Sequence, residues 1–175
     1  MSLSTPTLLF LVGYMGSGKS TIGRRLAKQL DCPFIDLDQA IVDHVGCSIP
    51  AFFAEKGEVA FRLVEREVLH QFQRPLQAVI ATGGGTPCFF DNMEWMKSQG
   101  IVLYLKHHPK SLFKRLNQSD VGQRPVLGGL TGEELYQQIE ERLAIREPFY
   151  AQSHKVIDQL KTPVSEIVSW YKSLK

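Results

Sequence analysis

Much that would announce a familiar class of protein is missing from these 175 residues. No block of like charges occurs, and 20 Lys+Arg stand against 18 Asp+Glu. Composition therefore gives no electrostatic reason to expect a nucleic-acid or membrane partner. Cysteine is scarce: Cys32, Cys47 and Cys88 are odd in number, widely spread and without C-x-x-C spacing. That excludes a disulfide framework and suits a reducing compartment. His44, His70, His107, His108 and His154 form no H-E-x-x-H or other metal-ligand spacing, so all five read as surface or satisfied side chains. Low-complexity tracts and internal repeats are absent too. The one apolar run near the N-terminus ends at Gly13 and has no basic region before it. It is too short to span a membrane and reads as a buried strand, not a signal peptide. What remains is a cytoplasmic, globular chain, 43% hydrophobic and 22% charged, of a length that fits a single domain, 1–175.

What is present is alternation. Leu8–Val12 is continuously apolar, as in a strand covered on both faces. Lys19–Leu30 is helical, with Ile22, Leu26 and Leu30 recurring every four residues while Arg24, Arg25 and Lys28 face solvent. Pro33–Asp38 (PFIDLD) reads as a short strand ending in carboxylates, and Ala78–Thr82, Ile101–Leu105 and Lys155–Asp158 as later strands. Between them, Ser48 suits a helix N-cap and Gly57–Phe72 carries Phe61, Val64, Val68 and Phe72 on one face. Thr131-x-x-Glu134 reads as a capping box, and Pro163 as the first residue of a final helix. Alternating strands and helices predict an α/β fold: a five-stranded parallel sheet between two helical layers. Gln118–Leu130 has no periodicity and reads as a mobile lid.

Strand-to-helix junctions are where such folds do chemistry, and the first one is explicit. LVGYMGSGKS satisfies Gly13-x-x-x-x-Gly18-Lys19-Ser20, a P-loop, between a buried strand and a helix. Gly13, Gly16, Ser17 and Gly18 would curl their N–H groups around phosphates, with the helix dipole behind them. Lys19 would reach the β- and γ-phosphates, Ser20 would hold Mg²⁺, and Thr21 would extend the cradle. The pattern implies ATP-type ligands without separating kinase, GTPase, motor or chelatase. The guanine-selecting N-K-x-D pattern is missing, and strand Ala78–Thr82 runs into GGG with no acid. The acid near Mg²⁺ then has to come from elsewhere, and Asp36 and Asp38 at the end of the Pro33–Asp38 strand are the best offer. Either could equally cap the following helix.

Four further stretches accompany the P-loop: DLD at 36–38, GEVAFRLVE at 57–65, GGG at 83–85 and QRPVL at 123–127, followed by REPFY at 146–150. Together they resemble the shikimate kinase family, in the structural group of nucleoside monophosphate kinases, from about Leu8 to the final helix. The resemblance implies transfer of the ATP γ-phosphoryl group to the 3-hydroxyl of shikimate, in aromatic amino acid biosynthesis. It makes Arg62 and Arg146 carboxylate-binding forks, and Asp38 the group that binds and aligns the acceptor hydroxyl. Asp36 becomes the carboxylate near Mg²⁺, and Gly83, Gly84 and Gly85 a close-approach surface. Arg124 becomes a lid arginine that swings onto the γ-phosphate, and Arg115 a partner for adenine. From the residues alone, Arg62 could be an exposed i,i+3 partner of Glu65, and Arg115 or Arg124 plain surface cations. The helices over about 38–72 would form the acceptor site. Val126 stands where the family often has leucine, and no individual adenine contact is assignable after Asp158. The rival readings are another small P-loop kinase, of gluconate or adenylate type, and a nucleotide-binding module without turnover. A monomer is expected.

Overall fold

The computed structural model describes residues 8–118, 130–158 and 160–174. Among them five strands and seven α-helices alternate. They are β1 (Leu8–Val12), α1 (Lys19–Leu30), β2 (Phe34–Asp36), α2 (Leu37–Val45), α3 (Ile49–Gln71), β3 (Val79–Ala81), α4 (Asn92–Gln99), β4 (Gly100–Lys106), α5 (Pro109–Asn117), α6 (Gly132–Tyr150), β5 (Lys155–Asp158) and α7 (Val164–Lys172). A 3-10 turn at Thr86–Cys88 follows β3. All strands are parallel in the order β2-β3-β1-β4-β5, with Leu9 of β1 beside both Val79 of β3 and Ile101 of β4.

The central strand shows why the sheet is sandwiched. Leu8, Phe10 and Val12 point to one face and pack with side chains from α2 to α6; Leu9 and Leu11 point to the other and meet α1 and α7. All five are buried, so period-2 alternation sends every residue of β1 into one of two cores. The expected three-layer αβα arrangement is thereby formed. Because parallel strands share one direction, the ends of β1, β2 and β3 open on the same edge. The crevice beyond those carboxyl ends, where crossovers leave for opposite faces, is where such sheets bind ligands.

Several local expectations need correction. The second strand stops at Asp36, because the Asp36 side chain accepts the Asp38 N–H (3.2 Å) as an N-cap and turns the chain into α2. Asp38 is thus in a first helical turn, not on an extended chain. The Ser48 cap does form (Ala51 N–H to Oγ, 3.3 Å), and the helix it opens meets the expected Gly57–Phe72 helix at Gly57, whose non-helical φ +79° and ψ 175° break α3 in two. Thr131 stands at the N-cap of α6 without a side-chain cap bond, so the capping box does not form. Pro163 is the N-cap of α7, in extended conformation, one residue earlier in register than expected. The lid stretch 118–130, except Gln118 and Leu130, lies outside the described residues.

Candidate active site

The turn after β1 is held open for an anion by tight backbone packing. Gly13 has φ +144°, and a Cβ there would sit 2.8 Å from the Leu105 carbonyl of neighbouring β4, so only glycine fits. Gly18, also left-handed, is the N-cap of α1 and makes no side-chain cap bond. The first turn of α1 therefore presents N–H groups and positive dipole to the cleft. Lys19 Nζ donates to the Gly13 and Tyr14 carbonyls (2.8 and 3.0 Å), which holds the ammonium over the loop. Gly16 and Thr21 line the cleft beside it, while Ser17 is buried. Behind the loop, buried His107 brings Nε2 to 3.1 Å from the Ser17 carbonyl. Arg115 on α5 brings Nη1 to 3.5 Å from the Gly16 carbonyl, at the outer rim of the loop.

Two carboxylates meet this loop from the end of β2. Ser20 Oγ donates to Asp36 Oδ2 at 2.7 Å, so a hydroxyl and a carboxylate converge at the base of the phosphate cradle. Asp38 faces the same cleft two residues on. Its side chain is open to the cavity yet ringed by protein. Burial in that ring pushes its pKa up to about 6, with Asp36 and Glu65 adding to the rise and Lys19 and Arg62 opposing it. Such a carboxylate is ionised at neutral pH and more basic than an ordinary aspartate.

Across the cleft, α3 supplies Arg62, which is 7% exposed. Its Nη1 donates to Glu65 Oε2 at 2.8 Å, its Nη2 reaches Glu58 Oε1 at 3.2 Å, and the Phe89 ring lies 4.1 Å from the guanidinium carbon. The guanidinium is thus pinned on two edges and one face. The glycines opposite leave room for these side chains: a Cβ at Gly85 would fall 2.7 Å from Arg62 Nη2, and one at Gly83 would fall 3.0 Å from both Asp38 Oδ1 and Glu65 Oε1. Arg146 approaches from α6 over the Tyr14 ring (5.6 Å), and Gly84 lies beside it. Tyr150, one turn further on, donates its O–H to the Gly84 carbonyl at 2.5 Å.

These groups line one cavity of about 1030 Å³: Lys19 and Ser20 from α1, Asp36 from the end of β2, Asp38 from α2, Arg62 and Glu65 from α3, and Arg146 from α6. Ile49, Pro50, Phe53 and Phe61 give it an apolar wall. Every site residue expected from the sequence lines this cavity except Gly13 and Ser17, which lie in the same loop, Arg115, which reaches the Gly16 carbonyl of that loop, and Arg124, which lies outside the described residues. Sequence reading missed His107, Thr86, the Glu58 and Phe89 contacts and the apolar wall. Only tertiary placement gives these residues a role; none has a signature at short spacing.

The arrangement pairs a phosphate cradle with a facing arginine clamp, and comparison with known proteins agrees. A family model described as shikimate kinase matches residues 15–173. A shikimate kinase of Parabacteroides distasonis is 47% identical, covering 87% of this chain and 88% of its own. The crystal structure of shikimate kinase from Bacteroides thetaiotaomicron superposes with a TM-score of 0.85 at 40% identity, over 96% of this chain and 97% of that one. The Acinetobacter baumannii shikimate kinase, solved in complex with shikimate, gives 0.84 at 34% identity over 97% and 93%. With the geometry and these relationships together, this chain belongs to the shikimate kinase family.

Proposed function

We propose that this chain transfers the γ-phosphoryl group of ATP to the 3-hydroxyl of shikimate, giving shikimate 3-phosphate and ADP. One observation carries the reading: a P-loop and a two-arginine clamp face each other across a single cavity, with Asp38 between them. Gly13, Gly16, Ser17, Gly18 and Thr21 form the cradle for the β- and γ-phosphates, and Lys19 neutralises charge as the phosphoryl group moves. Arg62 and Arg146 grip the acceptor's carboxylate, Gly83–Gly85 lie under its ring, and Asp38 aligns the attacking hydroxyl and takes its proton. Arg124 closes over the γ-phosphate from the lid, and Arg115 borders adenine.

A magnesium ion fits the residues present. Ser20 Oγ and Asp36 Oδ2 are 2.7 Å apart, and Mg²⁺ on a nucleotide takes few protein oxygens beside phosphates and water. Ser20 and Asp36 would hold it. When bound, it supplies charge neutralisation on the phosphate oxygens. We assign the chain to the cytoplasm as a monomeric domain, α2 and α3 carrying the acceptor site. No described helix is long and apolar enough to cross a membrane.

The test is ADP release from Mg·ATP with shikimate, gluconate or AMP as separate acceptors. Release stimulated by shikimate alone is the expected result. Stimulation by gluconate or AMP alone would replace the acceptor assignment. No stimulation by any, with ATP still bound, would leave a nucleotide-binding module.

A further inference from the structure

Arg62 is held by Glu65, and Glu65 is itself held. The carboxylate is 1% exposed, and its second oxygen, Oε1, accepts the Thr86 hydroxyl at 2.5 Å. Thr86 is fully buried in the 3-10 turn after the triple glycine, its N–H bonded to the Gly83 carbonyl. Asn92, also fully buried at the start of α4, donates its side-chain amide to the Thr86 carbonyl at 2.9 Å. A chain of buried polar contacts thus runs from α4 through the turn to the guanidinium in the cleft.

The two contacts on Arg62 are unequal. Glu58 is largely exposed and reaches it at 3.2 and 3.4 Å; Glu65 is sealed from solvent and reaches it at 2.8 Å. Orientation must therefore come from Glu65. A carboxylate hung from one helix by three rotatable bonds keeps its direction only if something fixes its other oxygen. Thr86 does this. An ionised carboxylate only accepts, so the Thr86 O–H must donate, and charge-assisted O–H···O⁻ bonds are short and strong.

We propose that Thr86 is a positioning residue for the acceptor clamp: by fixing Glu65 it aims Arg62 at the acceptor's carboxylate, with Asn92 holding the turn in place. This rests on the reading that Arg62 grips that carboxylate. The arrangement ties α3, the glycine loop and α4 into one unit, so the guanidinium and the loop beneath the acceptor keep a fixed relation.

The experiment compares Thr86→Val, which keeps shape and removes the hydroxyl, with Thr86→Ser, which keeps the hydroxyl, and with Arg62→Ala. Thr86→Val is expected to raise the shikimate KM about tenfold, the scale of one buried hydrogen bond, with the ATP KM within about twofold. Thr86→Ser should recover most of the loss. For an acceptor in which the shikimate carboxylate is replaced by hydroxymethyl, Thr86→Val and the parent should be alike. In an Arg62→Ala background, Thr86→Val should add nothing. An unchanged shikimate KM in Thr86→Val beside a raised one in Arg62→Ala overturns the proposal and leaves the clamp reading intact. An unchanged KM in Arg62→Ala removes the clamp reading itself. Equal loss with both acceptors, or toward ATP as much as shikimate, makes Thr86 merely structural and also overturns the proposal. Should Thr86→Val not fold, Thr86→Ala is read by the same criteria.

Discussion

The two ends of the cleft solve the same problem, holding an anion, by opposite means. The nucleotide end is built from eight contiguous residues, three of them glycine, that present backbone N–H groups on one strand-to-helix turn. The acceptor end is built from side chains that lie far apart in sequence: Asp38 on α2, Arg62 on α3, the glycines after β3 and Arg146 on α6. Backbone amides can cradle any phosphate, so the first end is generic. The fork of an arginine, pinned in one orientation, suits a planar carboxylate, so the second end selects. Damage at the first end should therefore abolish reaction with every acceptor, and damage at the second should discriminate between ligands.

The largest effect is expected at Lys19. Its ammonium is held over the loop by two carbonyls, and on the proposed function it is the charge that follows the phosphoryl group. Lys19→Met should lower turnover about a thousandfold or more, the scale of losing one preorganised charge stabiliser, whichever acceptor is supplied. Rapid-quench assays of ADP formation measure it. Turnover retained within tenfold would mean that the loop does not work on phosphate here.

Arg146 sharpens the comparison from the other side. Arg146→Ala should raise the shikimate KM by about 30- to several-thousand-fold, since truncating one partner of a desolvated charge pair costs about 2–5 kcal/mol. The ATP KM should stay within about twofold, measured by varying each substrate in turn. A shikimate KM that does not move would take Arg146 out of the clamp. Equal effects on both substrates would erase the distinction between the two ends.

How legible each end is in the sequence follows from the same contrast. The P-loop and the hydrophobic runs of the five strands are local patterns, and the structure reproduces the strand bounds to within two residues. The acceptor clamp has no local signature: Arg62 and Glu65 alone look like an exposed i,i+3 pair, worth tenths of a kcal/mol. Burial changes that, since Glu65 is 1% and Arg62 7% exposed. Only the combination of distant motifs, through resemblance to a family, pointed to them. Thr86 and His107 stayed invisible because a lone threonine and a lone histidine carry no pattern; the turn after β3 and the end of β4 bring them into place. DLD is compatible with an extended chain, so its pattern puts Asp38 on a strand; the Asp36 cap that turns the chain into a helix depends on one side-chain contact.

Asp38 offers the smallest and most demanding test, because it belongs to both ends. It sits between Asp36 and Glu65, and burial with that negative company raises its pKa from 3.8 to about 6. Two consequences have opposite signs. For catalysis, the proposed role as proton acceptor needs the ionised form, so kcat/KM, which reports the free enzyme, should fall tenfold per pH unit below about 6. For stability, a carboxyl with a raised pKa binds its proton more tightly folded than unfolded, so it favours folding fully below pH 3.8. That contribution is lost as pH rises through 6. Asp38→Asn should then melt higher than the parent at pH 8 and show no such gain at pH 4, while losing most of its turnover. The side chain opens to the cleft, so solvent screening shrinks the effect to about 1 kcal/mol, or about 2–4 °C in a chain of this size. Scanning calorimetry at the two pH values measures it. A variant that melts lower at pH 8 would show that the carboxylate is held by Lys19 and Arg62 more strongly than burial and its acidic neighbours oppose it, placing Asp38 on the structural side of the cleft.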